Sequence, residues 1–351
     1  ISLDNLDAGT IYYVQAFSNT ENENAYSALY AFATQSTSSG EIRLCFNNPV
    51  DTSVATIENA KFSGVYTNDT IKAYIDKAMH TLDVAIYNHS DALITSAIND
   101  AYDRGVRVRY ITCASTTTTA LGSLNDNIPV LQRPETTGIM HNKFLIIDVN
   151  SVNNSWIMTG STNWTNPSNL FNDYNNLIFV QDQALAKAYT MEFEEMWAGS
   201  FGSNKIDNTP HDFNVNGKHM ELYFSPSDQT TSKILEVINS VDYTLEFALL
   251  EFTRDDLGAA IIDVHNSFGT NVRGIMESTN SQYSEFDNMS NAGVNVKSHS
   301  GIQYTIHHKY AIADADIVAS DPILLTGSHN WLSLIHISEP TRRRGISYAV
   351  F

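Results

Sequence analysis

From Glu41 onward, short apolar runs alternate with segments of helical period. IRLCFN (42–47) reads as a strand, and DTIKAYIDKAMHT (69–81) as a helix with Ile71, Tyr74, Ile75 and Met79 on one face. LDVAIYN (82–88) is almost continuously apolar, which marks a strand covered on both faces. ALITSAINDAYDRG (92–105) predicts a helix stopped by Gly105, and VRVRYITCA (106–114) the next strand. NIPVLQR (127–133) then leads to FLIID (144–148) and WIMTG (156–160), a hairpin joined by the turn-forming VNSVNN (149–154). NLIFVQ (176–181) is a strand, and DQALAKAYTMEFEEMW (182–197) a helix opened by an aspartate. The second half repeats this order: ELYFSPSD (221–228), TSKILEVINSV (231–241), YTLEFALLEF (243–252), DLGAAIIDVHNSFG (256–269) and NVRGIMES (271–278).

The polar residues of the hairpin repeat as well. His141 and Lys143 fall on one face of a strand that ends at Asp148, and Gly160-Ser161-Thr162-Asn163-Trp164 follows. The second copy has His307, Lys309 and Asp314, then Gly327-Ser328-His329-Asn330-Trp331. Histidine and aspartate are seven residues apart in both copies, and the glycine lies 19 residues beyond His141 and 20 beyond His307. Gly105-Val106-Arg107-Val108-Arg109 matches Gly269-Thr270-Asn271-Val272-Arg273 at an offset of 164, against 166 between the histidines. A whole βαβαβ unit with its hairpin is therefore duplicated.

Composition narrows the function classes. The 351 residues carry a net charge of -19 with 42% apolar content, enough for one large or two medium domains. Such a charge disfavours sequence-blind adhesion to nucleic acid or anionic lipid. No apolar run approaches the ~20 residues of a membrane span. Cys45 and Cys113 match neither a zinc pattern nor a disulfide framework, and buried free thiols are expected. Leu6–Phe17 resembles the strand that carries the tyrosine corner of fibronectin type III domains. Residues 1–36 are accordingly expected to be a small all-β fragment of such a domain, with a linker over 37–41. Modules of this kind string extracellular proteins together, which points to a secreted or cell-surface bacterial protein whose signal peptide lies outside this chain.

His-x-Lys-x4-Asp followed by Gly-Ser-x-Asn, present twice, resembles the signature of the phospholipase D superfamily over residues 41–331. The resemblance implies an α/β fold: two duplicated lobes, each a mixed β-sheet flanked by helices, about a pseudo-twofold axis. The expected boundaries are 42–200 for the first lobe, 201–219 for a polar connector and 220–331 for a truncated second lobe. It also implies phosphodiester hydrolysis or transfer without a metal or other cofactor, by a monomer. One histidine attacks phosphorus and the other protonates the leaving alcohol. In the family's usual order His141 is the nucleophile and His307 the acid, although the residues leave that polarity open. The expected catalytic residues are His141, Lys143, Asp148, His307, Lys309 and Asp314, with Lys143, Ser161, Asn163, Lys309, Ser328 and Asn330 donating to phosphate. Asp148 and Asp314 would position the opposite lobe's histidine or the local backbone. His308 is expected to face away from His307, His329 either lines the cleft or does not, and Trp164 and Trp331 pack beneath the loops. His80, His89, His211, His219, His265 and His299 read as structural or solvated.

The residues admit more than one substrate class. A phospholipid, with peripheral membrane contact, suits the acidic chain. A nuclease needs a basic groove, for which Arg104, Arg107, Arg109 and Arg133 are the candidates, and an inactive adhesion module conflicts with two intact motifs. Two departures from the family stand out. Where many relatives place a glutamate after the Gly-Ser-x-Asn loop, this chain has Asp173-Tyr174-Asn175-Asn176. Residues 332–351, which begin LSLIHISEPTR, resemble translated sequencing adapter, so the second lobe is expected to lack its closing strand and helix.

Overall fold

The computed structural model describes residues 3–51, 53, 61–62, 66–116, 118–134, 138–268, 271–315, 320–333 and 348–350. The repeat residues Gly269 and Thr270, and 334–347 and 351 of the tail, lie outside the described residues. Four short strands come first: β1 (Ile11–Val14), β2 (Phe17–Asn19), β3 (Asn24–Tyr26) and β4 (Tyr30–Ala33). β1 pairs with β4 and β2 with β3. The Tyr12 hydroxyl accepts from the Asp7 amide at 2.9 Å. Lys187 Nζ donates to the Gly9 carbonyl and ties this segment to the first lobe.

The first lobe contains β5 (Ile42–Phe46), β6 (Lys61–Phe62), α1 (Thr67–Ile75), β7 (Thr81–Ile86), α2 (Ala92–Asp103), β8 (Arg107–Cys113), β9 (Val130–Arg133), β10 (Lys143–Ile147), β11 (Trp156–Gly160), β12 (Asn176–Gln181) and α3 (Gln183–Trp197). Its strands form one sheet in the order β6-β5-β12-β11-β10-β7-β8-β9. β7, β8 and β9 run parallel, and the predicted hairpin pairs antiparallel, Leu145 opposite Met158. Asp91 and Asp182 accept from Ile94 and Leu185 amides at the starts of α2 and α3, which fixes where both helices begin. One sheet face packs against Ile71, Tyr74 and Ile75 of α1 and Ile94, Ala97, Ile98 and Ala101 of α2. The other packs against Leu185, Tyr189, Phe193 and Met196 of α3. All of β10 is consequently buried, as its apolar run predicts.

The second lobe contains β13 (Asp212–Val215), β14 (Lys218–Glu221), α4 (Thr230–Asn239), β15 (Thr244–Leu249), α5 (Asp255–Phe268), β16 (Asn271–Met276), α6 (Phe286–Asn291), β17 (Asn295–Ser298), β18 (Lys309–Ala313), β19 (Ile323–Gly327) and β20 (Tyr348–Val350). The order β13-β14-β20-β19-β18-β15-β16-β17 mirrors the first sheet. Lys143 pairs with Ile86 and Lys309 with Leu249, so the two motif strands occupy equivalent registers.

Three expectations change. The connector is not merely polar: with the first residues of the second lobe it forms the β13–β14 hairpin, whose Phe213, Val215 and Met220 are buried against the core around α3. These apolar residues alternate with polar ones over too few positions to stand out from their surroundings. Met79 does not join the apolar face, because α1 ends at Ile75 and Met79 is 68% exposed. The closing strand of the second lobe is present as β20, with Gly327 paired to Tyr348 as Gly160 is to Leu177. Any chain segment that offers backbone donors and acceptors can fill that ladder position, whatever its apolar pattern.

Candidate active site

His141 and His307 each stand two residues ahead of the lysine that opens a central strand, β10 or β18. The pairing of β7 with β10 continues one step past the strand end, because Tyr87 donates its amide to the Asn142 carbonyl at 2.9 Å. In the second lobe Leu250 does the same to the His308 carbonyl at 3.1 Å. Backbone pairing, not a flexible loop, therefore holds both histidines. Both lysines are 1% exposed and fold back onto their histidines: Lys143 Nζ donates to the His141 carbonyl at 3.0 Å and Lys309 Nζ to the His307 carbonyl at 2.6 Å. The Tyr87 ring lies 4.8 Å from that of His141 and 5.2 Å from Lys143 Nζ. Tyr87 was not recognisable from sequence, since it looks like one more residue of an apolar strand.

Each histidine is secured by the opposite lobe. His141 Nδ1 lies 3.1 Å from the Ser328 carbonyl, and His307 Nδ1 lies 2.8 Å from Asn175 Oδ1. A carbonyl only accepts, so Nδ1 of His141 carries the hydrogen and Nε2 is the basic nitrogen. For His307 the same holds because the Asn175 amide is oriented by its neighbours. Asn175 Nδ2 donates to the Asn169 and Asp173 carbonyls at 3.0 and 3.3 Å, which turns Oδ1 toward the imidazole. The backbone adds to the junction: Tyr174 donates to the Thr305 carbonyl at 2.8 Å and His307 to the Tyr174 carbonyl at 2.9 Å.

The Gly-Ser-x-Asn loops flank these contacts. Gly160 has φ +141, and a Cβ there would lie 2.3 Å from the Asn176 carbonyl, so only glycine lets the loop pass β12. Asn163 Nδ2 donates to Asn169 Oδ1 at 2.7 Å, leaving a second amide hydrogen. The side-chain oxygens of Asn163 and Asn330 are both buried without a partner, at equivalent places in the two lobes. Each is an acceptor, so any contact of these residues with an anion would come from the amide nitrogen and not from this oxygen.

Two sets of predicted residues serve other ends. The Ser161 hydroxyl donates its single hydrogen to Asn175 Oδ1 at 2.8 Å, so it braces Asn175 instead of facing a phosphate. Asp148 and Asp314 accept from the backbone next to their own lobe's first strand and not from the His141 or His307 imidazole, so of the two expected roles they fill the second, holding the local backbone. Asp148 accepts from the Met79, His80 and Thr81 amides at 2.7–2.9 Å, and Asp314 from the Asp242, Tyr243 and Thr244 amides at 2.8–3.0 Å. Both sit past the far end of the motif strand, seven residues and roughly 20 Å from the histidine. Having positive φ, 46° and 54°, they turn the chain while capping the entry to β7 and β15. Asp148→Ala is expected to cost about 3 kcal/mol of stability and to leave kcat per folded molecule within about twofold. Thermal unfolding with activity measured well below the transition checks it, and a kcat loss of about a hundredfold at unchanged stability would make Asp148 a reacting group.

His308, His329 and His89 are structural. Burial pushes His308 down to about 3, with Lys309 adding repulsion, and it packs edge-on to Phe46 and Tyr310. His329 is held well below its ordinary range by burial and then by Arg254 and Lys309; at 2% exposure it is a neutral wall, not a titrating group. His89 is brought to about 4 by burial and supports Trp164 edge-on at 5.2 Å. Trp331 packs likewise on Phe252.

No basic groove forms from the candidate arginines. Arg107 and Arg109 both bind Asp83, Arg109 also binds Glu194, Arg104 donates to the Asp76 and Ala78 carbonyls, and Arg133 stacks on Phe201. Behind the motif strand, Asn142 Nδ2 donates to Glu192 Oε1 at 3.2 Å, and Glu192 pairs with Lys205 of the connector at 2.7 Å.

The family model described as cardiolipin synthase, PLD-like domain, matches residues 71–197 and 234–333, together more than half of the chain. Mitochondrial cardiolipin hydrolase of Xenopus tropicalis is 29% identical over 124 residues, covering 34% of this chain and 56% of that protein. A phospholipase D of Rickettsia conorii is 37% identical over 122 residues, covering 33% and 56%. The chain thus spans about half the length of the curated relatives it matches. The solved phosphatidylserine synthase of Haemophilus influenzae Rd KW20 superposes with a TM-score of 0.52 at 13% identity, over 76% of each chain, which is a likeness of fold.

Proposed function

The chain belongs to the cardiolipin synthase, PLD-like domain family, and from that premise we propose that it is a phosphodiesterase working through a phosphohistidine, with a phospholipid headgroup ester as substrate. One observation carries this reading. Two histidines from duplicated motifs are each fixed at Nδ1 by the opposite lobe, with a buried lysine beside each. On this reading the two Nε2 atoms act on a common anion. His141 Nε2 attacks phosphorus to form a P–N bond while the P–O bond to the alcohol breaks, and His307 Nε2–H gives that oxygen its proton. Neutral His307 then takes a proton from water, whose oxygen displaces His141 and restores both side chains. Lys143 and Lys309, with the Asn163 and Asn330 amides, offset the charge on the equatorial oxygens.

Two buried ammonium groups favour an anion and repel a metal cation. Three acidic clusters among the described residues could hold a metal, and none contains His141 or His307. A polyanionic nucleic acid is the weaker substrate because the chain is acidic and its candidate arginines are engaged locally. Phosphatidylcholine vesicles, plasmid DNA and bis-p-nitrophenyl phosphate, each incubated in excess EDTA, test the reading. Headgroup release that persists under chelation is expected. Loss of activity on chelation would refute the metal-free route, and faster cleavage of DNA than of lipid would refute the substrate.

A further inference from the structure

We propose that Glu277, oriented by His299, is a positioning residue for His307: it holds the chain at the entry to β18 and so sets where the acid stands. The inference rests on the reading that His307 protonates the leaving alcohol. Alternate residues of an extended chain face opposite sides. Thr305 and His307 face the first lobe, where Tyr174 donates to the Thr305 carbonyl and accepts from the His307 amide. Ile306 and His308 face the other way. The His308 carbonyl accepts from Leu250, but there the ladder with β15 stops, because Glu251 and Phe252 turn to pair with Trp331. The amide of Ile306, two residues upstream and 5% exposed, is met instead by Glu277 Oε2 at 2.8 Å. Glu277 follows β16 and has to reach past the end of β15 to do this. His299 Nδ1 donates to the same oxygen at 2.9 Å, and the Tyr174 ring packs edge-on to His299 at 5.4 Å.

The duplication separates this tether from the needs of the fold. Asp83 pairs with Arg109 and Glu246 with Arg273, so Cys113 is the counterpart of Glu277. Cys113 pairs with Arg133, which makes Arg133 the counterpart of His299, one step beyond the Met276–Ser298 pair. The nucleophile's lobe thus has a thiol and a guanidinium where the acid's lobe has a carboxylate and an imidazole. Strands lie about 4.8 Å apart, so a cysteine is too short to reach past β7 to the segment ahead of His141. Cys113 Sγ lies 3.0 Å from Ser115 Oγ in its own loop. Equivalent sheets form with either pair, so the carboxylate goes with what distinguishes the two histidines, their roles.

Two leaving groups separate misplacement of the acid from a general loss of structure. In the full chain, Glu277→Ala is expected to lower kcat on an alkyl phosphodiester about ten- to a hundredfold, with KM little changed. The p-nitrophenolate burst from bis-p-nitrophenyl phosphate, which needs no acid, should stay within about twofold. Glu277→Gln keeps an oxygen acceptor for the Ile306 amide and should restore most of the alkyl-ester rate. Cys113→Ala, at the counterpart position, should change neither. His299→Phe removes only the orienting donor; it should show the Glu277→Ala pattern in weaker form, and it carries the test if Glu277→Ala does not fold. Equal losses on both leaving groups, or no loss on the alkyl ester, in the variant that folds would overturn the proposal. Amide hydrogen exchange over residues 305–308 reads the tether without turnover. It is expected to be at least about tenfold faster in Glu277→Ala and restored in Glu277→Gln, and exchange indifferent to Glu277→Ala would also overturn the proposal. A wild type that cleaves no phosphodiester but shows this exchange pattern would refute the proposed function and leave the tether standing.

Discussion

His141→Ala is expected to lower kcat about ten-thousandfold on every phosphodiester tested, because the proposed route forms its covalent bond at His141, whose imidazole is held at Nδ1 by the opposite lobe. His307→Ala should cost about 10²–10⁴-fold on an alkyl ester, in line with loss of a general acid. With bis-p-nitrophenyl phosphate, whose leaving group needs no proton, the first step survives in His307→Ala. The phosphorylated enzyme should then accumulate, since neutral His307 is also the base for water attack. Denaturing mass spectrometry at alkaline pH would find the phosphoryl group on His141. Finding it on His307, in an active His141→Ala protein, would reverse the polarity. The contrast between leaving groups separates nucleophile from acid, which a simple loss of activity does not.

Lys205→Met is expected to destabilise the protein by about 3–5 kcal/mol, the cost of breaking a buried ion pair. Glu192 is 2% exposed, and its pKa is pushed up to about 7 by burial, opposed by Lys205 at 2.7 Å. Without the lysine the carboxylate has only Asn142, and ionising it becomes harder. The sign of the pH dependence follows from linkage. An unfolded glutamate titrates near 4.3, so between about 4.3 and 7 the folded state holds a proton that the unfolded state has lost. Stability from this group therefore falls as pH rises through that window. The Lys205→Met deficit should shrink at pH 5 and be largest at pH 8, by thermal or urea unfolding. Glu192→Gln with Lys205→Met should recover much of the loss, whereas additive losses would show that the two groups act independently. Because Asn142 adjoins His141, the single variant should also lower activity in the folded protein.

The sequence and the structure divide the explanation along a clear line. Periodicity located the helices that end at Asp103 and Trp197 and the β10–β11 hairpin, because apolar spacing follows directly from which face a segment buries. It missed β13, whose burial depends on α3 of the other lobe, and it extended α1 to Met79, which the Asp148 cap turns away from the core. The duplication was legible because equal spacing of unlike polar residues cannot be produced by burial alone. Identity of a side chain, however, does not state its partner. Ser161 has the right chemistry for a phosphate site and Asp148 for orienting a catalytic group, yet their hydrogen bonds go to Asn175 and to three backbone amides.

Sequence by itself determined that two copies of one α/β unit each carry a histidine, a lysine and a Gly-Ser-x-Asn loop, because those are properties of residue type and spacing. Only the tertiary structure decided that His141 is held by Ser328 and His307 by Asn175, 187 and 132 residues away. Those contacts form where two sheets meet, and local spacing along the chain carries no term for how one lobe faces another.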